Sequence, residues 1–111
     1  MIKTNERILS FIGLACKAGK VASGNQACED AIKKRKAFLV LLSGDIAANS
    51  EKDYTLAAQA GVIPCFKLET EELGNSIGKP ERKVVCIIGK EFANIIIKEI
   101  DLLNNFGGVE Q

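Results

Sequence analysis

Two uninterrupted apolar runs constrain this chain more than any other feature: Ala37-Phe38-Leu39-Val40-Leu41-Leu42 and Val84-Val85-Cys86-Ile87-Ile88. A strand with one wet face alternates apolar and polar residues, whereas a continuous run fits a strand covered on both faces. Two such strands, set between segments of helical periodicity, predict an α/β domain of three layers, an α-β-α sandwich.

Ile8, Leu9, Phe11, Ile12, Ala15 and Cys16 recur at three- and four-residue spacing, which predicts a first helix with Thr4 as N-cap and Gly19 as its stop. After the short Lys20-Val21-Ala22, a second helix starts near Ser23 or Gly24 and turns Ala27, Cys28, Ala31 and Ile32 inward. A third runs from Ser50, with Leu56, Ala57 and Ala60 as its stripe and Gly61 as its end. Val62-Ile63-Pro64-Cys65-Phe66 reads as an edge strand, because proline cannot donate to a ladder. Thr70 is expected to cap one or two turns through Glu71, Glu72 and Leu73, with Gly74 and Gly78 bracketing a loop. The last helix turns Phe92, Ala93, Ile96, Ile97, Ile100 and Leu103 inward, and residues 104–111 are expected to fray. Alternation of strands and helices favours right-handed crossovers, hence a small, mostly parallel or mixed sheet of about four strands.

At 111 residues the chain suits one domain, 1–111, large enough to bury a core without metal or disulfides. No apolar stretch approaches the ~18 residues of a membrane span, and the polar start Met-Ile-Lys-Thr-Asn-Glu-Arg does not resemble a secretory signal, so a cytoplasmic protein is expected. There is no histidine, and the four cysteines, Cys16, Cys28, Cys65 and Cys86, form no Cys-x-x-Cys pair. Zinc sites and Ser-His or Cys-His catalysis of the usual kind are therefore not expected, and three of the cysteines have apolar neighbours that suit a core. Asp45 after Ser43-Gly44 could suggest a phosphoryl acceptor, but Lys20-Val21-Ala22-Ser23 supplies no acidic pair for magnesium. Neither Gly-x-x-x-x-Gly-Lys-Ser/Thr nor Gly-x-Gly-x-x-Gly occurs, so no nucleotide cofactor is expected, and without histidine no clear nucleophile–base constellation appears among Ser, Cys, Lys and the carboxylates, so an enzyme is not expected.

A net charge of +1 conceals an uneven distribution. Residues 1–36 carry eight Lys or Arg against three acids, residues 37–78 two against six, and residues 79–111 five against five. One positive face for an anionic partner is thereby permitted.

Three constellations could use it. Ser23-Gly24-Asn25-Gln26 opens a helix, where amide N–H groups attract phosphate and carboxamides suit base edges; an ordinary helix cap explains the same residues. Lys33 to Lys36, including Lys34, complement a helix C-terminus, while Lys17 and Lys20 precede the Gly24 turn and could neutralise phosphates. In Leu73-Gly74-Asn75-Ser76-Ile77-Gly78-Lys79-Pro80-Glu81-Arg82, Ile77 could lie under an unstacked base while Lys79 and Arg82 hold the backbone, or it could simply enter the core.

Taken in order, Ser-Gly-Asn-Gln before a helix, Ala-Phe-Leu-Val-Leu-Leu-Ser-Gly-Asp, Gly-Val-Ile-Pro-Cys-Phe and Leu-Gly-Asn-Ser-Ile-Gly-Lys resemble the kink-turn-binding ribosomal protein superfamily. Ser76 to Arg82 and Phe92-Ala93-Asn94 are similar to its bacterial YlxQ-type branch. The resemblance, over about residues 5 to 103, implies the α-β-α sandwich and non-catalytic binding of structured RNA, ribosomal or otherwise non-coding, rather than DNA. It implies that the family's Gly-x-Asn-Glu turn falls on Gly24-Asn25-Gln26-Ala27, its acidic residue after the central strand on Asp45, and its Leu-Gly-x-x-Val-Gly loop on Leu73 to Gly78. Gln26 stands for the asparagine that meets paired bases, Ala27 for a glutamate and Asp30 for a phosphate-contacting lysine. The expected RNA contacts are Lys20, Gly24, Asn25, Gln26, Lys34, Asp45, Leu73, Gly74, Ile77, Gly78, Lys79 and Arg82. The alternative is a protein-docking module on the same fold.

Overall fold

The computed structural model describes residues 1–109, with side chains to Asn105. Five helices and four strands follow in chain order: α1 (Glu6–Lys17), β1 (Val21–Ser23), α2 (Asn25–Lys33), β2 (Leu39–Leu42), α3 (Ala48–Gly61), β3 (Cys65–Lys67), α4 (Leu73–Ser76), β4 (Val84–Ile87) and α5 (Lys90–Val109). Every residue of β2 and β4 is buried, as their continuous apolar character requires. Side-chain alternation divides them between two cores. Leu39, Leu41, Val85 and Ile87 face Ile8 and Ile12 of α1, Leu73 of α4 and Ile96 and Ile100 of α5. Val40, Leu42, Val84 and Cys86 face Cys28 and Ala31 of α2 and Tyr54 and Ala58 of α3. Each fully buried Leu or Ile contributes roughly 1.5–3 kcal/mol to holding the layers together.

The sheet order is β1-β4-β2-β3, with β1 and β2 both antiparallel to β4 and β2 parallel to β3. The sheet is mixed, and the mostly parallel alternative fails for a specific reason. A parallel return needs a crossover that travels the length of the sheet, usually a helix. The only helix between β3 and β4 is the single-turn α4, so the chain re-enters the sheet at the end where β3 left it.

Other differences are local. Asn5, not Thr4, caps α1, its side chain accepting from the Ile8 N–H at 2.9 Å. Helix α3 starts at Ala48 and buries Tyr54 and Ala58, while Leu56 is 54% exposed, so the expected stripe is displaced. It ends at Gly61 as expected, and the C-cap residue Val62 takes a left-handed conformation (φ 56) and does not belong to β3. Thr70 caps no helix; its hydroxyl accepts from the Glu72 N–H, and the single turn forms within the expected loop, at Leu73–Ser76. Ala27 is exposed. Helix α5 continues past the point of expected fraying, and the Asn104 carboxamide accepts from the Lys3 N–H at 2.7 Å and donates to the Lys3 carbonyl at 3.1 Å. The last two residues of the expected frayed tail, 110 and 111, lie outside the described residues.

Candidate nucleic-acid interface

The glycine turn forms because β1 ends at Ser23 and α2 begins at Asn25, leaving Gly24 alone to reverse the chain. Its dihedrals, φ 86 and ψ 165, belong to a region that is essentially glycine's own. The Gly24 N–H donates to the Val84 carbonyl at 3.2 Å, fastening the turn to the start of β4. No side chain caps α2, neither Ser23 nor any other. The cap reading of this motif therefore fails in its usual form: the first internal bond is Cys28 N–H to the Gly24 carbonyl, and the amides of Asn25, Gln26 and Ala27 stay open.

Arg82, two residues before β4, lies directly over the turn. A Cβ on Gly24 would overlap the Arg82 guanidinium, coming within 3.1 Å of Cζ. The Arg82 Nε is buried without a hydrogen-bond acceptor, and the Glu81 carboxylate is 3.7 Å from it. Together Ser23, Gly24, Asn25, Gln26, Asp30 and Arg82 line an open depression at the start of α2.

Asn25 is oriented from beneath. The phenol of the buried Tyr54 donates to Asn25 Oδ1 at 2.9 Å, with the Asn25 carbonyl at 3.2 Å, leaving the carboxamide nitrogen to donate outward. Burial pushes the Tyr54 hydroxyl well above its ordinary range, so it remains a donor. Sequence reasoning missed Tyr54; the available signal was the spacing of Tyr54 and Ala58, one turn apart, against the more apolar Leu56 and Ala60. Gln26 is exposed and makes no side-chain hydrogen bond to another described residue. In the same depression the Asp30 carboxylate is paired with Lys34 at 3.2 Å.

The second loop is shaped by Gly74. Its buried Cα is so close to the backbone of the following segment that a Cβ would meet the Pro80 and Arg82 carbonyls at 2.9 Å. The Lys79 N–H donates to the Gly74 carbonyl at 2.9 Å and the Arg82 N–H to the Lys79 carbonyl at 3.0 Å, folding the loop back toward Gly24. Gly78 has φ 74 with open space around it, and Lys79 is exposed. Leu73 and Ile77 are both core residues, at 0% and 8% exposure, so the expected apolar contact beneath a base is not offered by Ile77.

Asp45 is already engaged. It accepts from Lys83 Nζ at 2.6 Å and from the buried Ser43 Oγ at 2.5 Å. The Lys83 hydrogen bond, ahead of that from Ser43, holds its carboxyl below the ordinary 3.8. Asp45 therefore pins the loop after β2 to the loop before β4, and positions its neighbours.

Two expected contacts are not brought here. Lys20 precedes β1 whereas Gly24 follows it, so at about 3.3 Å per residue they are about 13 Å apart. Lys34 follows α2, about 14 Å along the helix from Asn25 at about 1.5 Å per residue. Among the described residues no group of three His, Cys, Asp or Glu side chains could hold a metal ion, and all four cysteines are free. Hydrogen bonding with Cys28, and then burial, push the Cys86 thiol up, away from reactivity. No described helix is long and apolar enough to cross a membrane.

This sandwich, with a glycine turn, a post-strand acid and a looped single-turn helix gathered at one end of its sheet, is of the ribosomal-protein class. The chain belongs to the ribosomal protein L7Ae/L30e/S12e/Gadd45 family, whose model matches residues 6–97. It is 38% identical over 92 residues to the RNA-binding protein YlxQ of Bacillus subtilis (strain 168), covering 82% of this chain and 92% of that one. It is 35% identical over 89 residues to the RNA-binding protein YlxQ of Enterococcus faecium, covering 79% and 85%. Among solved structures, a protein of unknown function from Bacillus halodurans C aligns over 87% of this chain and 99% of its own, with a TM-score of 0.82 and 28% identity. The 15.5kD RNA binding protein of Giardia lamblia aligns over 90% and 92% with a TM-score of 0.71; at 18% identity it shows the fold alone.

Proposed function

We propose that this chain binds structured RNA without catalysing a reaction, docking a helix–internal loop–helix of the kink-turn kind at the Gly24 end of its sheet. The observation that carries the reading is the α2 N-terminus: its first amides are left uncapped beside the Arg82 guanidinium, an arrangement suited to phosphate and base edges. An irregular RNA offers unpaired edges that a regular A-form duplex hides in a deep, narrow groove. The direct contacts proposed are Gly24, Asn25, Gln26, Gly78, Lys79 and Arg82. Leu73, Gly74 and Ile77 shape the loop from within, and Asp45 aligns it through Lys83. The names of the two YlxQ relatives support the choice of RNA. The RNA proposed is ribosomal or another non-coding species in the cytoplasm.

Titration with a synthetic kink-turn RNA and with a plain duplex of equal length tests this reading. A clear preference for the kink-turn is expected, and equal affinity for both would overturn it. A protein-docking role is favoured by a different feature, the groove between α1 and α4 lined by Leu9, Gly13, Leu14, Asn75 and Ser76, where Leu14 is half exposed. An apolar protein interface there would respond little to salt, whereas binding through phosphates weakens steeply.

A further inference from the structure

Charge is segregated along the strands of the sheet, with the acid-rich loops at the Gly24 end and the cations at the other. At the Gly24 end, the loops 43–47, 68–72 and 79–83 hold three Lys or Arg (Lys79, Arg82, Lys83) and five acids (Asp45, Glu69, Glu71, Glu72, Glu81). At the other end, segments 17–20, 33–38 and 88–91 hold seven Lys or Arg and one acid, Glu91. Strand direction brings these segments together. The Ile88 N–H donates to the Lys20 carbonyl at 2.8 Å and the Phe38 N–H to the Ile87 carbonyl at 2.9 Å, so Lys20, Ile88 and Phe38 lie abreast, one residue beyond the ends of β1, β4 and β2. Neighbouring strands are about 4.8 Å apart, which sets Lys20 and Phe38 about 10 Å apart across the sheet. Lys36 and Lys90 each stand two residues beyond Phe38 and Ile88.

Four features show that this pole is not a mere solvated helix end. Lys34 is paired with Asp30, but among the described residues Lys20, Lys33, Arg35, Lys36 and Lys90 form no ion pair. Lys90 opens α5, where the helix dipole disfavours a cation. Phe38, 40% exposed, lies within the cationic border. Gly89 admits the Lys20 stem, whose Cγ would be 2.9 Å from a Cβ there, so this cation is packed against the start of α5.

We infer that this basic pole is a second RNA surface, which holds the phosphate backbone of a stem leading away from the internal loop docked at Gly24. The inference rests on the RNA reading above. Helix α2 links the two: its N-terminus is at the loop site and its C-terminus at the pole, about 14 Å on. A stem lying along α2 reaches Arg35 and Lys36, and the flexible cations meet phosphates without reading bases. The loop site supplies the selection and the pole supplies attraction that the acidic loops do not.

The test uses three synthetic RNAs: a kink-turn with both stems short, the same kink-turn with lengthened stems, and a long plain duplex. Each is titrated against the full chain and the variant R35Q/K36Q/K90Q across a salt series. Circular dichroism melting verifies that the variant folds, as exposed positions allow. Lengthening the stems is expected to tighten binding about tenfold or more for the parent chain. The variant should lose that gain, with its slope of log affinity against log salt reduced by about 2 to 3 on the long RNA, while its affinity for the short kink-turn stays within about twofold. If the variant equals the parent on all three RNAs, the inference is overturned and an acidic protein surface becomes the fitting partner. If the chain shows no preference for the kink-turn but binds long duplex in a manner lost in the variant, the pole stands and the internal-loop reading alone falls.

Discussion

The Tyr54 phenol donates to the Asn25 carboxamide oxygen at 2.9 Å, tying the middle of α3 to the first residue of α2. Tyr54→Phe removes that donor while keeping the ring in the core. Stability should fall by about 0.5–1.5 kcal/mol, the usual worth of one hydrogen bond, as urea denaturation measures. RNA affinity should fall as well, because the freed Asn25 carboxamide no longer presents its nitrogen in one direction. Unchanged affinity in Tyr54→Phe would remove Asn25 from the contact set.

Gly24→Ala meets two obstacles, a backbone conformation that costs a side-chain-bearing residue about 1–3 kcal/mol and the Arg82 guanidinium in the space of its Cβ. Only the second is relieved by shortening Arg82. A cycle of Gly24→Ala, Arg82→Ala and the double variant should show the double less destabilised than the sum of the singles, by about 0.5–3 kcal/mol. Strict additivity would mean that Arg82 does not lie over the turn in solution.

Val62 caps α3 in a left-handed conformation that costs an L-residue roughly 1–2 kcal/mol, and it is 90% exposed, so its side chain returns almost no packing. Val62→Gly should therefore stabilise the chain by about 1 kcal/mol in thermal or urea unfolding, against the usual destabilising effect of glycine.

Asp45 carries the pH dependence of the loop end. Its carboxyl is held below 3.8 in the folded chain by Lys83 and Ser43, so its contribution to stability is present above that value and is lost as the pH falls through the lower folded value. Asp45→Asn should thus be less stable than the parent at neutral pH, and the two should converge as acid protonates the carboxylate. A constant difference from pH 7 to pH 2, followed by urea midpoints, would contradict the Lys83 pairing.

The layers were legible in the sequence because a strand buried on both faces leaves an unbroken apolar run, which 39–42 and 84–87 show directly. Strand direction was not legible. It depends on whether the segment between β3 and β4 spans the sheet, and Glu71-Glu72-Leu73-Gly74-Asn75-Ser76 does not announce a helix of one turn. The glycine turn was legible in Gly24, but its missing cap and the overlying Arg82 are tertiary facts. Lys20 shows the cost of reading charge along the chain: four residues from Gly24 in sequence, it is carried to the far end of the sheet by the extended rise of β1. Ile77 was open to either reading, since apolar character alone does not say whether a residue enters the core or faces a base.

The proposed function depends on which end of the molecule receives RNA. Backbone amide chemical shifts, recorded by NMR while the short-stemmed kink-turn RNA is added, test it most directly. The largest perturbations are expected on Gly24, Asn25, Gln26, Gly78, Lys79 and Arg82, with Leu9, Gly13 and Leu14 unmoved. Perturbations centred on the α1–α4 groove, with the Gly24 turn and the Lys79–Arg82 loop unaffected, would contradict it.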